Sequence, residues 1–170
     1  MRFRFSWLAP LLALFSCNDA GNLPTVPRVD VKRYAGKWYE VASFPQTFQK
    51  GCFCTTAEYT LSAPDEVVVE NRCKRNGKTS YIKGSARVVK NSGGAKLKVQ
   101  FFWPFTGNYW IIHLDPDYRW AVVSEPSKEY LWILSRTPSL PPDVLQPILQ
   151  TLEKQGFDLK KLQYTRQDCP

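Results

Sequence analysis

Short runs in which apolar and polar residues alternate fill the chain from Gly36 onward, and turn residues separate these runs at close spacing. Such alternation is typical of β-strands with one buried face. Eight runs are predicted to be strands, at residues 36–44, 53–62, 66–74, 78–90, 95–103, 108–114, 118–125 and 129–136. Short connections force neighbouring strands to pair antiparallel, and eight such strands can close around one interior. The pattern therefore predicts an all-β fold, an eight-stranded antiparallel up-and-down barrel.

Near the C-terminus the pattern changes to a helical period. Aliphatic residues between positions 144 and 152 recur at three- and four-residue spacing, and Gly156 supplies a stop. We predict one C-terminal α-helix that starts near Asp143 and packs outside the barrel, with Pro147 either delaying its start or bending it. Residues 159–165 are expected to form a last short strand.

The first residues have the composition of an export signal. Arg2 and Arg4 precede an apolar run that ends in small residues. The run is about half of the roughly 20 residues that a membrane-spanning helix needs. We therefore interpret residues 1–16 as a signal peptide, residues 17–31 as a tether and residues 32–170 as the barrel domain.

The end of this signal, Leu14-Phe15-Ser16-Cys17, resembles the lipobox of bacterial lipoproteins, in which the cysteine thiol carries a diacylglycerol. Acylation at Cys17 would hold the protein on a membrane. Asn18 follows the cysteine instead of the aspartate that is the commonest signal for inner-membrane retention, which favours an exported, periplasm-facing protein of the outer membrane. The alternative is ordinary cleavage near Ala20 and secretion.

The composition suits one domain with a single core, since 44% of the 170 residues are hydrophobic. Without the signal peptide the chain has 21 basic and 15 acidic residues. The basic residues are scattered and never form a run of five, so they indicate a solvated surface and no nucleic-acid groove. This excess of positive charge is compatible with attraction to anionic lipid head groups.

Four cysteines follow Cys17, at positions 52, 54, 73 and 169. An even number of cysteines behind an export signal predicts two disulfides. We expect no metal site, because Cys52-Phe53-Cys54 lacks the usual two-residue spacing of a zinc knuckle and the single histidine, His113, lies far along the chain.

Three short motifs stand out: Gly36-Lys37-Trp38-Tyr39-Glu40 on the first strand, Asp115 with Tyr118 between the sixth and seventh strands, and Leu134-Ser135-Arg136-Thr137-Pro138 at the end of the eighth. In type and order they resemble the motifs of lipocalins. From about residue 31 to residue 170 the chain resembles the lipocalin branch that contains bacterial outer-membrane lipoproteins and apolipoprotein D. The ending Gln167-Asp168-Cys169-Pro170 looks like that of apolipoprotein D.

The motif residues are expected to report the fold and not the ligand. Gly36 lets the chain turn tightly into the first strand, and Trp38 plugs the closed end of the barrel. Arg136 is expected to lie over the indole while its donors reach carbonyls of the N-terminal segment.

Two disulfide pairings are compatible with the sequence. The resemblance to apolipoprotein D implies Cys54–Cys169, which leaves Cys52–Cys73. If instead the second and third strands meet about a turn at residues 63–64, Cys54 stands opposite Cys73 and Cys52 takes Cys169.

Strand alternation selects the expected ligand-binding residues. Trp132 shares its face with Arg136 of the closed end, so that face is interpreted as the interior. The same alternation gives the residues expected to line the ligand cavity, and Tyr59 and Glu40 are expected to orient a polar head group. The expected ligand-binding residues are Glu40, Tyr59, Phe101, Trp110, Ile112 and Trp132.

The resemblance implies a binding protein without catalytic residues or cofactor. We expect a monomer or homodimer that stores or transports fatty acids or lysophospholipids at the cell envelope, with a role in membrane maintenance or stress. The alternatives are a carrier of pigment or another hydrophobic ligand, and a lipocalin-type isomerase. An isomerase needs an activated thiol or an acid–base pair in the cup, whereas the cysteines form a pairable set and His113 has outward parity.

Overall fold

The computed structural model describes residues 23–169. Its strands are β1 (Gly36–Ser43), β2 (Phe53–Ala63), β3 (Glu66–Arg75), β4 (Lys78–Val88), β5 (Lys96–Phe102), β6 (Phe105–Leu114), β7 (Trp120–Ser124), β8 (Leu131–Ser135) and β9 (Gln163–Tyr164). Each of the first eight pairs antiparallel with its neighbour in sequence, and β1 pairs with both β2 and β8. The eight strands therefore close, which confirms the predicted barrel. The ninth strand lies against β1.

Two α-helices accompany the barrel in the described part of the chain. Helix α1 (Val31–Tyr34) is a single turn, and the carboxylate of Asp30 accepts hydrogen bonds from its first free N–H groups. Helix α2 (Pro142–Lys154) packs outside the barrel, as predicted, and contains Pro147 within its length. Within residues 23–169, neither of these helices nor any other has the length and apolarity to span a bilayer.

Two apolar layers hold the molecule together. One fills the barrel interior and includes Trp38, Tyr59 and Leu97. The other lies between the outer face of the barrel and α2, where Ile133 meets Leu152 in a cluster of buried side chains. Each strand between these layers is covered on both faces, so β7 and β8 are buried along almost their whole length.

Residues 23–31 pack on the barrel, which corrects the expected boundary of the tether. Leu23 and Val29 are 3% and 5% exposed, and the backbone N–H of Val26 donates to the carbonyl of Ile111 at 3.1 Å. The reason is that apolar side chains recur through this segment and lose contact with water when they cover the barrel. The expected signal peptide and Cys17 lie outside the described residues.

The barrel has two unlike ends. The first strand begins beside α1, and this end is called the closed end. Because neighbours are antiparallel, the opposite end, called the open end, carries the connections at residues 44–52, 76–77, 103–104 and 125–130.

Candidate functional site: the barrel interior

The closed end of the interior is sealed by Trp38, whose side chain has no exposed surface. Its indole N–H donates to the carbonyl of Tyr34 in α1 at 2.8 Å. The guanidinium of Arg136 lies 3.8 Å from the ring centroid and donates to backbone carbonyls on both sides of Gly36, among them that of Ala35 at 2.9 Å. Gly36 has φ +92°, a conformation that glycine adopts without strain.

The turn between β6 and β7 reinforces this end. Asp115 accepts hydrogen bonds from the side chain of Arg119 at 2.8 Å and from two backbone N–H groups, and the Arg119 partner holds the pKa of the Asp115 carboxyl below its usual range. The hydroxyl of Tyr118 accepts from the backbone N–H of Asp30 at 2.8 Å. Asp115 and Tyr118 thus position the turn and α1, and neither lines the interior cavity.

Three tyrosine hydroxyls meet inside the barrel above Trp38. The hydroxyl of Tyr109 lies 2.7 Å from that of Tyr34 and 2.8 Å from that of Tyr59. Burial raises the pKa of Tyr59 to about 12 and raises the pKa values of the other two well above the ordinary value of 10. All three phenols are therefore neutral donors at physiological pH. Sequence parity identified only Tyr59.

These three groups carry more protons than they use on one another. The three hydroxyl groups share two hydrogen bonds, so one of the three O–H protons is not donated within the cluster. No other described side chain or backbone group accepts that proton. The three tyrosines line a cavity of about 10 Å³ together with apolar side chains that include Val67, Leu97 and Ile111. That volume holds about one water molecule. The deep end of the interior is therefore apolar with a single spare donor.

The expected inward orientation of Trp110 and Ile112 is wrong. Both belong to the layer between the barrel and α2, and Tyr109 and Ile111 line the interior instead. The cause is a β-bulge in β6, where Ile111 pairs with Val123 but His113 already pairs with the next residue along β7. The extra residue reverses the alternation of inward and outward side chains on its N-terminal side. Strict alternation along β6 therefore places Trp110 and Ile112 on the inner face, although they lie on the outer one. Nothing in the residue types marks the bulge.

Phe101 and Trp132 pack against the interior cluster, as expected, and are only partly buried. Phe101 lies over Gly84 of the neighbouring strand, where an added Cβ would approach the phenyl ring to 2.6 Å. Trp132 lies in β8 one residue from the open end, and its indole N–H reaches Gln49 of the β1–β2 connection at 3.4 Å. Both residues lie on the interior face within two residues of the open-end connections.

Glu40 lies near the open end and is 5% exposed. Its carboxylate accepts hydrogen bonds from the side chains of Ser43 at 3.2 Å, Gln49 at 2.9 Å and Thr165 at 2.5 Å. The carboxylate borders a pocket of about 610 Å³ between the β1–β2 connection and the C-terminal segment. Glu40 therefore places a negative charge where the interior meets polar surroundings.

The C-terminal segment closes a gap in the barrel wall. Strands β1 and β2 pair only between Gly36–Tyr39 and Thr56–Tyr59. Beyond that, the side chain of Gln167 donates to carbonyls of both strands, those of Glu40 at 2.8 Å and Thr55 at 2.9 Å. Residues 163–167 thus replace the missing pairing.

The disulfides are Cys52–Cys73 and Cys54–Cys169, which is the pairing implied by the resemblance. The rival pairing assumed a regular hairpin. Instead β2 bulges between Phe53 and Thr56, and Cys54 has φ +52° with its N–H bonded to the carbonyl of Arg166 at 2.7 Å. The bulge turns Cys54 towards the C-terminal segment.

His113 lies on the outer face, where its Nε2 is 2.9 Å from the side-chain oxygen of Gln155 at the end of α2. Across residues 23–169 the His, Cys, Asp and Glu side chains form no group of three that could hold a metal ion.

Comparisons with known proteins agree on one family. The Lipocalin-like domain family matches residues 29–167. Temperature-induced lipocalin-1 of Arabidopsis thaliana is 40% identical (88% of this chain, 86% of the relative), and outer membrane lipoprotein Blc of Escherichia coli K12 is 39% identical (87% and 89%). Mouse apolipoprotein D is 33% identical (96% and 95%).

The fold is also that of a solved structure, insecticyanin from the tobacco hornworm Manduca sexta. The TM-score is 0.70 at 23% identity, with 85% of this chain and 84% of the other covered. The extent of the family match, the identity to its relatives and the closed barrel lead to one conclusion. This chain belongs to the lipocalin family.

Proposed function

We propose that this lipocalin binds fatty acids or lysophospholipids in its barrel and stores or transports them at the cell envelope, without catalysis. The observation that carries the proposal is the composition of the interior. Apart from the tyrosine hydroxyls its deep half is lined by aliphatic and aromatic side chains, and a buried charged group, Glu40, borders the open end. An apolar chamber with a polar rim suits a molecule with an alkyl chain and a polar head.

The interior cavity is only water-sized, so a lipid can enter only if interior side chains move, and Phe101 and Trp132 are the interior aromatic residues near the open end. Both rings are partly buried, so their displacement costs less packing than that of Trp38. We propose that they act as a gate and then pack along the alkyl chain.

The charge of Glu40 favours one class of head group. A carboxylate beside the mouth repels the carboxylate of a fatty acid and attracts an ammonium group. A lysophospholipid with a cationic amine, such as lysophosphatidylethanolamine, is therefore the preferred ligand within the proposed class.

We further propose that Cys17 carries a lipid anchor and that the protein faces the periplasm from the outer membrane. The support is the lipobox-like sequence and the similarity to the Escherichia coli relative named as an outer membrane lipoprotein. Intact mass of the protein purified from membranes tests this. Cleavage before Cys17 with an added acyl mass supports the anchor, and an unmodified chain that begins near residue 21 refutes it.

Binding is tested by displacement of a fluorescent long-chain fatty acid with palmitate and with lysophosphatidylethanolamine. Trp132→Ala should weaken binding about tenfold or more, since it removes a large apolar surface from the ligand path. Trp110→Ala is the matched control, because the same side chain lies in the outer layer. Failure of both lipids to displace the probe at micromolar concentration would refute the proposed ligand class, and equal weakening by the two variants would refute the gate.

A further inference from the structure

Large apolar side chains stand in solvent at the open end of the barrel. In the β5–β6 hairpin, Phe102, Trp103 and Phe105 are 68%, 85% and 77% exposed. In the β1–β2 connection Phe48 is 63% exposed. Side chains of this size are seldom left so exposed together unless another surface covers them.

The two groups of aromatic residues flank the mouth. In the closed order of strands, the junction of β1 and β2 is four strands away from the junction of β5 and β6 in either direction. Phe48 and the hairpin residues therefore lie on opposite sides of the open end. A single flat surface laid across the mouth would meet both.

Among the described residues, the closed-end connections carry no comparable group of exposed aromatic side chains. Seven large hydrophobic side chains within residues 23–169 are markedly exposed, and none is in the closed-end connections at residues 64–65, 89–95 or 115–119. The other three are Tyr81, Tyr130 and Tyr164. Tyr81 and Tyr164 lie within strands, and the other five lie in or beside open-end connections, so exposed aromatic residues are concentrated at that end.

The charge of the open end identifies the surface that would cover it. The connections and their adjoining residues carry Lys50, Lys74, Arg75, Lys78 and Lys128, against Glu125, Glu129 and the buried Glu40 beside the mouth. Cations beside exposed aromatic rings suit the interface of a bilayer that contains anionic phospholipid, where rings enter the head-group layer and cations meet phosphates. A flat protein partner would need an apolar centre with acidic residues around it, whereas an anionic bilayer presents both as its ordinary interface.

We propose that the open end docks on a bilayer containing anionic phospholipid, with Phe48 and the Phe102–Phe105 hairpin inserted into the interface. Docking places the mouth against the lipid layer, so a lipid can pass between bilayer and barrel without crossing water. The surface is separate from any anchor at Cys17 and from the choice of ligand.

Vesicle flotation tests the surface. All proteins begin at residue 18, so that neither the apolar run of the signal peptide nor an acyl group at Cys17 contributes to vesicle binding. The parent should bind vesicles of equal parts phosphatidylcholine and phosphatidylglycerol more tightly than vesicles of phosphatidylcholine alone. Trp103→Ser with Phe105→Ser should weaken binding roughly tenfold or more. Lys78→Glu should weaken it about fivefold, and Lys90→Glu at the closed end is the matched control.

A second measurement reports insertion directly. Brominated acyl chains should quench tryptophan fluorescence of the parent, and Trp103→Phe should bind equally well while losing that quenching. Equal vesicle binding by the parent and the double variant would overturn the proposal, as would a change of oligomeric state in the double variant with unchanged vesicle binding. Fatty-acid displacement without vesicles reports only on the interior, so the two proposals can fail separately.

Discussion

The guanidinium of Arg136 lies over the indole of Trp38, 3.8 Å from the ring centroid, and joins the end of β8 to the start of β1. Its nitrogens donate to the carbonyls of Arg33 and Lys37, each at 2.8 Å. One side chain therefore stacks on the plug of the barrel and satisfies the backbone that enters it. A planar cation with several donors is needed for both tasks.

Arg136→Lys should consequently destabilise the protein although it keeps the charge. An ammonium cannot stack on the indole and reach these carbonyls together, so we expect a loss of about 2 kcal/mol or more in the free energy of unfolding. Urea denaturation measures the loss. Arg87→Lys is the control, since Arg87 forms an exposed pair with Glu66 and should change stability by less than about 1 kcal/mol. Similar losses for the two variants would contradict the dual role of Arg136.

Two tryptophans of the interior should respond differently to truncation. Trp38→Ala should lower the free energy of unfolding by about 3–5 kcal/mol, because it leaves a cavity in a fully buried site. Trp132→Ala should lower it less, since Trp132 is partly exposed, and should act mainly on ligand affinity. Thermal melting of both variants, with and without fatty acid, separates the roles. Equal losses of melting temperature would show that Trp132 is a packing residue like Trp38.

Stability should fall in alkaline solution through the tyrosine cluster. Burial raises the pKa of Tyr59 to about 12 and those of Tyr34 and Tyr109 as well, whereas unfolded tyrosine ionises near 10. Below about pH 10 the folded and unfolded states both keep the three tyrosine protons, and the cluster makes its full contribution to the free energy of unfolding. As the pH rises towards about 12 only the folded state keeps them, so the free energy of unfolding decreases.

Urea denaturation between about pH 9 and about pH 12 measures this decrease. Tyr109→Phe should make the decrease smaller and should also cost about 1–3 kcal/mol at neutral pH, because it leaves two buried hydroxyls without their shared partner. Tyr81→Phe, an exposed tyrosine, should change neither quantity. A spectrophotometric titration in which every tyrosine ionises near 10 would rule out the cluster as the cause.

The two disulfides should differ in their effect on stability. Cys54–Cys169 spans 115 residues and Cys52–Cys73 spans 21. Loop-closure entropy gives about 4–5 kcal/mol for the first and about 3 kcal/mol for the second. Paired replacement by serine, followed by guanidinium denaturation, tests the order. A larger loss from removing the shorter loop would mean that local packing outweighs loop closure.

Much of the barrel could be predicted from alternation because most strands are buried on one regular face. Strands β3 and β4 pair without interruption from Glu66 to Arg75, and their boundaries match the pattern closely. Failures arose where a single inserted residue reverses the faces. The bulge at Ile112 places Trp110 on the outer face and not in the predicted ligand wall. The bulge at Cys54 turns this residue away from Cys73, so that its disulfide partner is Cys169.

The site was predicted less well because its polar part is assembled across distant segments. Tyr34 comes from a one-turn helix, and Tyr109 stands on the face of β6 that parity assigned to solvent. Their hydroxyls meet only after the barrel has closed. The hydrogen bonds of Glu40 likewise depend on Thr165, which is 125 residues away.

The C-terminal closure of the wall also bears on how the chain is made. Synthesis proceeds from the N-terminus, so Cys52, Cys54 and Cys73 are available for oxidation well before Cys169. During that interval Cys73 meets two thiols two residues apart, and only one of them is its native partner. Until the final residues arrive, the seam between β1 and β2 is open and the nascent barrel offers an unpaired edge to its neighbours. Cys54 therefore stays without its native partner until Cys169 has been made, and a disulfide isomerase would correct a bridge between Cys54 and Cys73 that forms in that interval.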